Sequence, residues 1–451
     1  MGVALILLGM AAPGQAASGG HEEGSRISDE AIPLQTDVFP ERPRMLIEFG
    51  EPFLRTGRLS RGIKLPTGQV WRPALWVFGT YRTGFQTFDP GAARFAEWAH
   101  RLDLFANLRL SATERLVVGI RPLDEFGSVG YNFRPSTVNH GWQRDLNGDI
   151  QALFFEGDIG EMFPFLDPDD FKSLDIGFSV GRQDLTLQEG VLVQDNFDLV
   201  GLTRNTLRPS GTSNLRLTGV YGWNHLHRAN NTEDPTAQLF GLFTEIDAPL
   251  STLNIDLAYV KASTLTGDAF YAGISGVQRI KGVNTSIRVN ASLPVDGDTP
   301  ATSRGVLWLN EISWTPHGTH NLLYFNSFWG IERFSSAARS PSSGGPLGRT
   351  GILFAAVGLG RYSAALDNRA DEAAGGSLGY QMFFARNRRQ LIVEAGGRKD
   401  TNGIGAGAAA VGMRLQQAVG RRMVLQFDGF ATVRQNRDAA YGARIETLVK
   451  F

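Results

Sequence analysis

Hydrophobic and polar positions alternate through residues 101–110, with Phe105 the one apolar residue on the polar side. Leu102, Leu104, Ala106, Leu108 and Leu110 fall on one side, and Arg101, Asp103, Phe105, Asn107 and Arg109 on the other. A period of two reads as a β-strand, because successive side chains leave opposite faces of the backbone. A face that carries Arg, Asp, Asn and Arg has to meet water, and a barrel lumen is one place where so regular a strand does so. The same alternation starts at Ala74, where Leu75, Val77, Gly79, Tyr81 and Phe85 oppose Thr80, Arg82 and Gln86. It returns through residues 115–121, 151–159, 173–181, 196–206, 214–223, 238–247, 253–261, 269–276 and 283–293. Residues 305–314, 321–330, 377–385, 390–398, 404–416, 423–434 and the final stretch complete it. The pattern predicts about 18 strands of roughly 8 to 13 residues, long enough to cross a bilayer at a tilt.

The connections test this independently. Counted back from the end, they alternate between short and long. The short ones are QAVGRR, ARNRRQ, TPHGTH, QRIKG, DAPLST, RPSGTS and SATE, and the long ones include residues 122–149, 182–195, 224–237 and 331–376. Short periplasmic turns and longer outer loops are the rule for membrane barrels. Residues 351–359 (GILFAAVGL) would give an odd strand total and a long loop on the periplasmic side. They are therefore expected within the largest loop, with the lumen open to receive them. Residues 160–172 make a wide periplasmic turn. The chain ends YGARIETLVKF, with Tyr441, Ala443, Ile445, Thr447, Val449 and Phe451 on one apolar or small face. That ending resembles the closing strand of bacterial outer-membrane β-barrels, and the resemblance implies that Phe451 is read by the barrel assembly machinery. Taken alone, the segment also suits the edge strand of a soluble sheet. Aromatic residues near strand ends, such as Trp76, Trp223, Trp308 and Trp329, fit interfacial girdles, although β-propensity also enriches them.

The expected fold class is thus all-β, a transmembrane antiparallel β-barrel of outer-membrane type spanning residues 74–451. Composition agrees. Among 451 residues there is no Cys, which excludes disulfide and thiol chemistry, and a formal net charge of −1 argues against a nucleic-acid surface. Mean hydropathy is slightly negative, where a helical membrane protein would be clearly positive. Residues 1–16 read as a secretory signal peptide that lacks a basic start. Residues 17–73 read as a periplasmic arm, whose part beyond residue 45 suits a plug, a lip or an extra strand.

Parity places Arg82, Arg101, Asp103, Arg109, Arg121, Glu156, Asp158, Arg216, Asp256, Arg288, Glu394, Arg414, Asp428, Arg434, Arg444 and Glu446 in the lumen. Fixed Arg attracts anions, and Arg is the commoner sign, which leans toward an anion-selective constriction. The competing reading is a ladder of cross-strand pairs that stiffens the wall and selects nothing. Residues 181–195 (GRQDLTLQEGVLVQD) pose a conflict, because Arg182 falls on the lipid face with Ile176, Phe178 and Val180. Charge there costs about 2–4 kcal/mol at the bilayer midplane. Either a bulge at Gly181 turns Arg182 inward or the strand ends, and both give a loop that enters the pore mouth with Arg182 and Asp184.

A strand ending GRQ, a loop with Gly and Asp, a preceding strand with Glu156 and Asp158, and about 18 strands together resemble the alginate-export family of outer-membrane proteins. The resemblance implies a monomeric channel with an Arg-lined pore for a polyanion. Other signals are weaker. DLNGD offers Asp145, Asn147 and Asp149 at calcium-loop spacing without the later Glu, and a hairpin turn explains it equally. His225 and His227 make half a metal site at most. No nucleophile or nucleotide motif stands out, no cofactor is implied, and His100 is the one candidate base near the wall. The leading reading is a porin-like channel in outer-membrane lipid for small anions or an acidic saccharide. A barrel plugged by its arm and the 331–376 loop, serving as scaffold for a partner, is second. A barrel-wall hydrolase is third.

Overall fold

The computed structural model describes residues 43–54, 59–91, 94–123, 130–134, 140–143, 146–166, 174–403 and 406–451. The expected signal peptide, most of the arm and Asp145 lie outside them. The barrel strands in chain order are β1 Ala74–Asp89, β2 Phe95–Arg109, β3 Arg115–Leu123, β4 Ile150–Asp158, β5 Ile176–Leu187 and β6 Val193–Leu207. They continue with β7 Asn214–Trp223, β8 Gln238–Ala248, β9 Ser251–Lys261, β10 Ala269–Ile280, β11 Val283–Pro294 and β12 Gly305–Trp314. The ring finishes with β13 Leu322–Glu332, β14 Ala373–Phe384, β15 Arg389–Asp400, β16 Ala408–Val419, β17 Met423–Arg434 and β18 Arg437–Lys450. Each pairs antiparallel with its sequence neighbour, and β18 pairs with β1, so the 18 strands close. Closure leaves no open edge in lipid, which the backbone requires. No helix among the described residues is long and apolar enough to cross a membrane.

Alternation sorts the two faces as the sequence predicts. Leu202, Leu242, Leu257, Ile274, Val411 and Ile445 are each half-exposed on the outer face, a band that suits lipid and not water. At the outer-loop ends, Tyr221, Phe240, Tyr259 and Phe270 form a chain of rings with centroids 5.0, 6.4 and 4.6 Å apart. These rings are an interfacial girdle.

Ile47–Gly50 pairs with residues 74–77 of β1, on the same edge as β18. Phe451 fills the position between them, exchanging backbone bonds of 2.8 and 3.1 Å with Gly79. A Cβ on Gly79 would stand 2.9 Å from Cε2 of Phe451, so only glycine leaves that ring its seat. The stretch 45–54 therefore lies along the closing seam, added through the short strand Ile47–Gly50. Its Phe53 packs on Trp76, 5.1 Å between ring centroids, at the periplasmic mouth.

Residues 333–372 fold into the lumen, and residues 351–359 form no strand there, as expected from the strand count. The loop leaves β13, reaches β6 on the far side of the ring, and pairs there in parallel through Ala338–Arg339. It then returns to β14. The turn at residues 188–192 also enters, with Val191 and Leu192 fully buried.

Candidate functional site: the narrowed lumen

Charges line six neighbouring strands, β3, β2, β1, β18, β17 and β16, with signs that alternate except where Arg101 and Arg82 stand opposite each other. Asp103 sits between Arg101 at 3.0 Å and Arg121 at 2.7 Å. Arg82 meets Glu446 at 2.6 Å, Glu446 meets Arg444 at 2.6 Å, and Arg444 and Arg414 share Asp428, the latter at 2.6 Å. The folded-in loop lies over part of this ladder. Arg82 and Arg101 donate to the carbonyl of Gly358 at 3.2 and 3.1 Å, Gln86 donates to Leu359 at 3.0 Å, and the Arg444 guanidinium lies 5.6 Å from the Tyr362 ring. The side chains of Arg444 and Glu446 keep only 1% and 4% of their exposure. Five arginines share three carboxylates here, so the arc is a ladder of pairs that holds the loop and still keeps a net positive charge, rather than an open ring of Arg.

On the next arc, the carboxyl group of Glu394 accepts from the backbone N–H of Ile352 at 3.0 Å and of Leu353 at 2.9 Å, and from the Tyr324 hydroxyl. The chain can approach because residue 351 is glycine, where an added Cβ would lie 2.3 Å from that carboxyl group. The apolar run at 351–359 now has its physical account. Leu353 and Phe354 join Leu307, Leu309 and Phe328 of the wall, and Val357 and Leu359 join Phe88 and Phe95.

The inward turn at 188–190 meets the loop at two places. Arg339, fully buried, donates to the carbonyls of Gly190, Val191 and Gly345. Burial pushes its pKa down to about 10, opposed by Asp195, so it remains charged at neutral pH. Arg349 lies 3.3 Å from Glu311 and 3.7 Å from Glu189, and Arg288 reaches the same two carboxylates at 2.6 and 4.0 Å. Gln188 donates to Asp256 at 2.6 Å. Arg349, Arg339 and Glu189 escaped the sequence reading because loops carry no parity signal. The one clue was the apolar length of the loop itself.

Below the loops the lumen keeps a cavity of about 840 Å³ in its periplasmic half, lined by Trp76, Arg109, Arg115, Glu156, Gln183 and Arg216 among others. A second, of about 450 Å³, lies against the loop and includes Glu311, Tyr324, Arg349 and Arg414. Arg115 pairs with Glu156 at 2.5 Å, and Arg216 with Glu245 at 3.3 Å. Arg109 lies over the Trp76 ring, 4.9 Å from its centroid, and no carboxylate among the described residues is within ion-pair distance. Asp158 turns out to cap the short helix Ile159–Met162 through the N–H groups of Gly160 and Glu161, so its carboxylate serves that turn.

Of two expected pore residues, Arg182 is on the other side of the wall, and Asp184 shares its parity while bordering the periplasmic cavity. The β5–β6 ladder runs through Gly181 without a register shift, and β5 continues to Leu187. Arg182 therefore keeps outward parity and is held by Asp198 at 2.8 and 3.1 Å, while Asp198 also accepts from Asn224. Asp198 shares its face with half-exposed Leu202, whereas Phe197 and Leu199 point into the buried interior. The pair is level with Trp223, at the interface, where charge costs only about 0–1 kcal/mol. Asp184 has the same parity and accepts from Asn196 at 2.9 Å. The loop that does enter the bore is the shorter 188–192.

His227 belongs to the inward-packed 224–237 loop. Its backbone N–H and ring Nδ1 lie 2.7 and 2.9 Å from the Asp195 carboxylate. Burial alone would lower its pKa, but Asp195, helped by Glu233, raises it above the ordinary 6.5. His100 lies on the outer face between Tyr81 and Trp98, away from the lumen. Asn147 accepts from the backbone of Asp149 in a tight turn, and no group of described residues is arranged to hold a metal.

No family model and no curated protein matches the chain. Solved structures do match it. The outer membrane protein OpdK of Pseudomonas aeruginosa is 11% identical, covers 83% of this chain and 98% of its own, and gives a TM-score of 0.57. A BenF-like porin from Pseudomonas fluorescens is 11% identical over 84% of this chain and 99% of its own, with a TM-score of 0.57. Acinetobacter baumannii OccAB2 is 12% identical over 84% and 98%, with a TM-score of 0.53. At such identities the likeness is one of fold, and the chain is similar to outer-membrane porins in that sense.

Proposed function

We propose that the chain is a porin-like outer-membrane channel, narrowed by its own loops, that passes small polar or acidic solutes passively. The observation that carries this reading is the polar lumen retained beneath the loops, with its cavity of about 840 Å³. A barrel built only as a scaffold has no need of wet space lined by Arg, Glu, Gln and Asn. Arg109 supports an acidic solute, because it is a lumen cation with no described carboxylate against it. The alginate-export resemblance extends the reading to an acidic polysaccharide. It now rests on strand number and on Arg109 beside the cavity, since Arg115 and Arg216 are paired with Glu156 and Glu245 and Arg182 faces outward. One observation favours the plugged scaffold instead, namely the apolar clusters that the loops form inside the bore. Liposome swelling separates the two. Vesicles carrying the refolded protein should swell in small neutral and acidic sugars, and faster in the acidic ones at low salt. Vesicles that stay inert to every solute would favour the scaffold.

A further inference from the structure

We propose that the periplasmic end of β14–β17 carries a binding site on its outer face for an anionic glycerophospholipid of the facing leaflet. The site does not depend on whether the lumen conducts. A groove of about 420 Å³ opens there on the lipid side, lined by Phe384, Leu391, Leu415, Leu425 and Phe427, with Arg389 and Gln417 at its rim. The groove is almost wholly apolar below that rim, which suits an acyl chain. Arg389 has outward parity and gives its Nε–H to Gln417 at 2.6 Å. That bond fixes the guanidinium while its two terminal nitrogens remain to grip a phosphate in paired fashion. Arg386 and Arg388 in the adjoining turn are also exposed, and Arg388 donates to the carbonyl of Gly420 at 3.1 Å. No described carboxylate is within ion-pair distance of Arg386, Arg388 or Arg389. A basic rim over an apolar groove at the headgroup level matches a phosphate above a hydrocarbon tail.

Native mass spectrometry in detergent, with added dioleoyl phosphatidylglycerol or dioleoyl phosphatidylcholine, tests this. The folded wild type should hold one phosphatidylglycerol in preference to phosphatidylcholine. Combining Arg386→Gln with Arg389→Gln should weaken phosphatidylglycerol binding at least about tenfold. Arg208→Gln, in another periplasmic turn, should leave it unchanged. Leu415→Trp, which fills the groove and keeps every charge, should also weaken it. Equal adducts for the two lipids, or for wild type and the double variant, would overturn the site. So would equal losses from Arg208→Gln, which would mark a general basic belt, or full binding by Leu415→Trp, which would leave the groove without a part.

Discussion

Glu394→Ala should release the folded-in loop from the wall without opening the barrel. The carboxyl group holds two backbone N–H groups and one tyrosine hydroxyl, the Leu353 N–H buried and the other two partly buried beside the cavity. Truncation leaves those three donors without their partner in a space too tight for easy rearrangement, since Gly351 lies against it. A buried donor left unmade costs about 1–3 kcal/mol, and three neighbours relax together, so the anchoring should weaken by about 3 kcal/mol. The strand pairing on either side of Glu394 is backbone to backbone and survives. Hydrogen exchange followed by mass spectrometry reads the effect directly. Opening of peptides covering residues 351–359 should rise by about 150-fold, the equivalent of that energy, while peptides from β14 and β15 hold their protection. Glu394→Gln keeps an acceptor oxygen and the shape, and should lie between wild type and Ala. Unchanged exchange at 351–359 in Glu394→Ala would refute the anchoring role.

Deleting Phe451 should lower the yield of heat-modifiable, membrane-inserted barrel far more than deleting several residues from 17–44, because Phe451 completes the seam against Gly79. Similar yields from both deletions would contradict this. Arg182→Ala should leave the reversal potential across a salt gradient unchanged and cost about 1 kcal/mol of stability through the exposed loss of its partner at the interface. Arg109→Gln should instead shift that potential away from anions, and the shift should shrink in high salt. His227 has a folded pKa raised above 6.5, so its contribution to holding the 224–237 loop is full below that value and is lost as pH rises through the raised one. Protease cleavage after buried Arg228 should accelerate over that rise, and His227→Asn should flatten the dependence.

The barrel was legible because strands obey parity and a closed wall obeys it everywhere. The number of strands, the short periplasmic turns and the inward placement of Arg82, Asp103, Arg216 and Arg414 all follow from that one rule. Arg182 shows where the rule was abandoned too soon. A lipid-facing charge looked intolerable, yet its height beside Trp223 and the carboxylate of Asp198 across the ladder make it cheap. Neither height nor cross-strand partner is written in a single strand's sequence. Asp158 followed parity and still served a different purpose, because the chain needs a cap where β4 gives way to a helix. Sequence counted Arg against Asp and Glu but could not pair them. Pairing depends on register between strands far apart in the chain, as with Arg82 and Glu446. The loop that narrows the lumen left only the apolar run at 351–359 as a sign, and its contacts, Arg339 with Gly190 and Gly358 with Arg82 and Arg101, had none.

Single-channel recording in planar bilayers tests the central claim most directly. Refolded wild type should give discrete ohmic steps, and a variant with residues 335–371 replaced by a short Gly-Ser link should give steps several-fold larger, since the loop occupies the bore between β6 and β13–β16. Silence from wild type together with large steps from the variant would mean that the loops seal the barrel and that it serves as a scaffold. Equal steps from both would mean that the loop does not narrow the path at all, which would contradict the account.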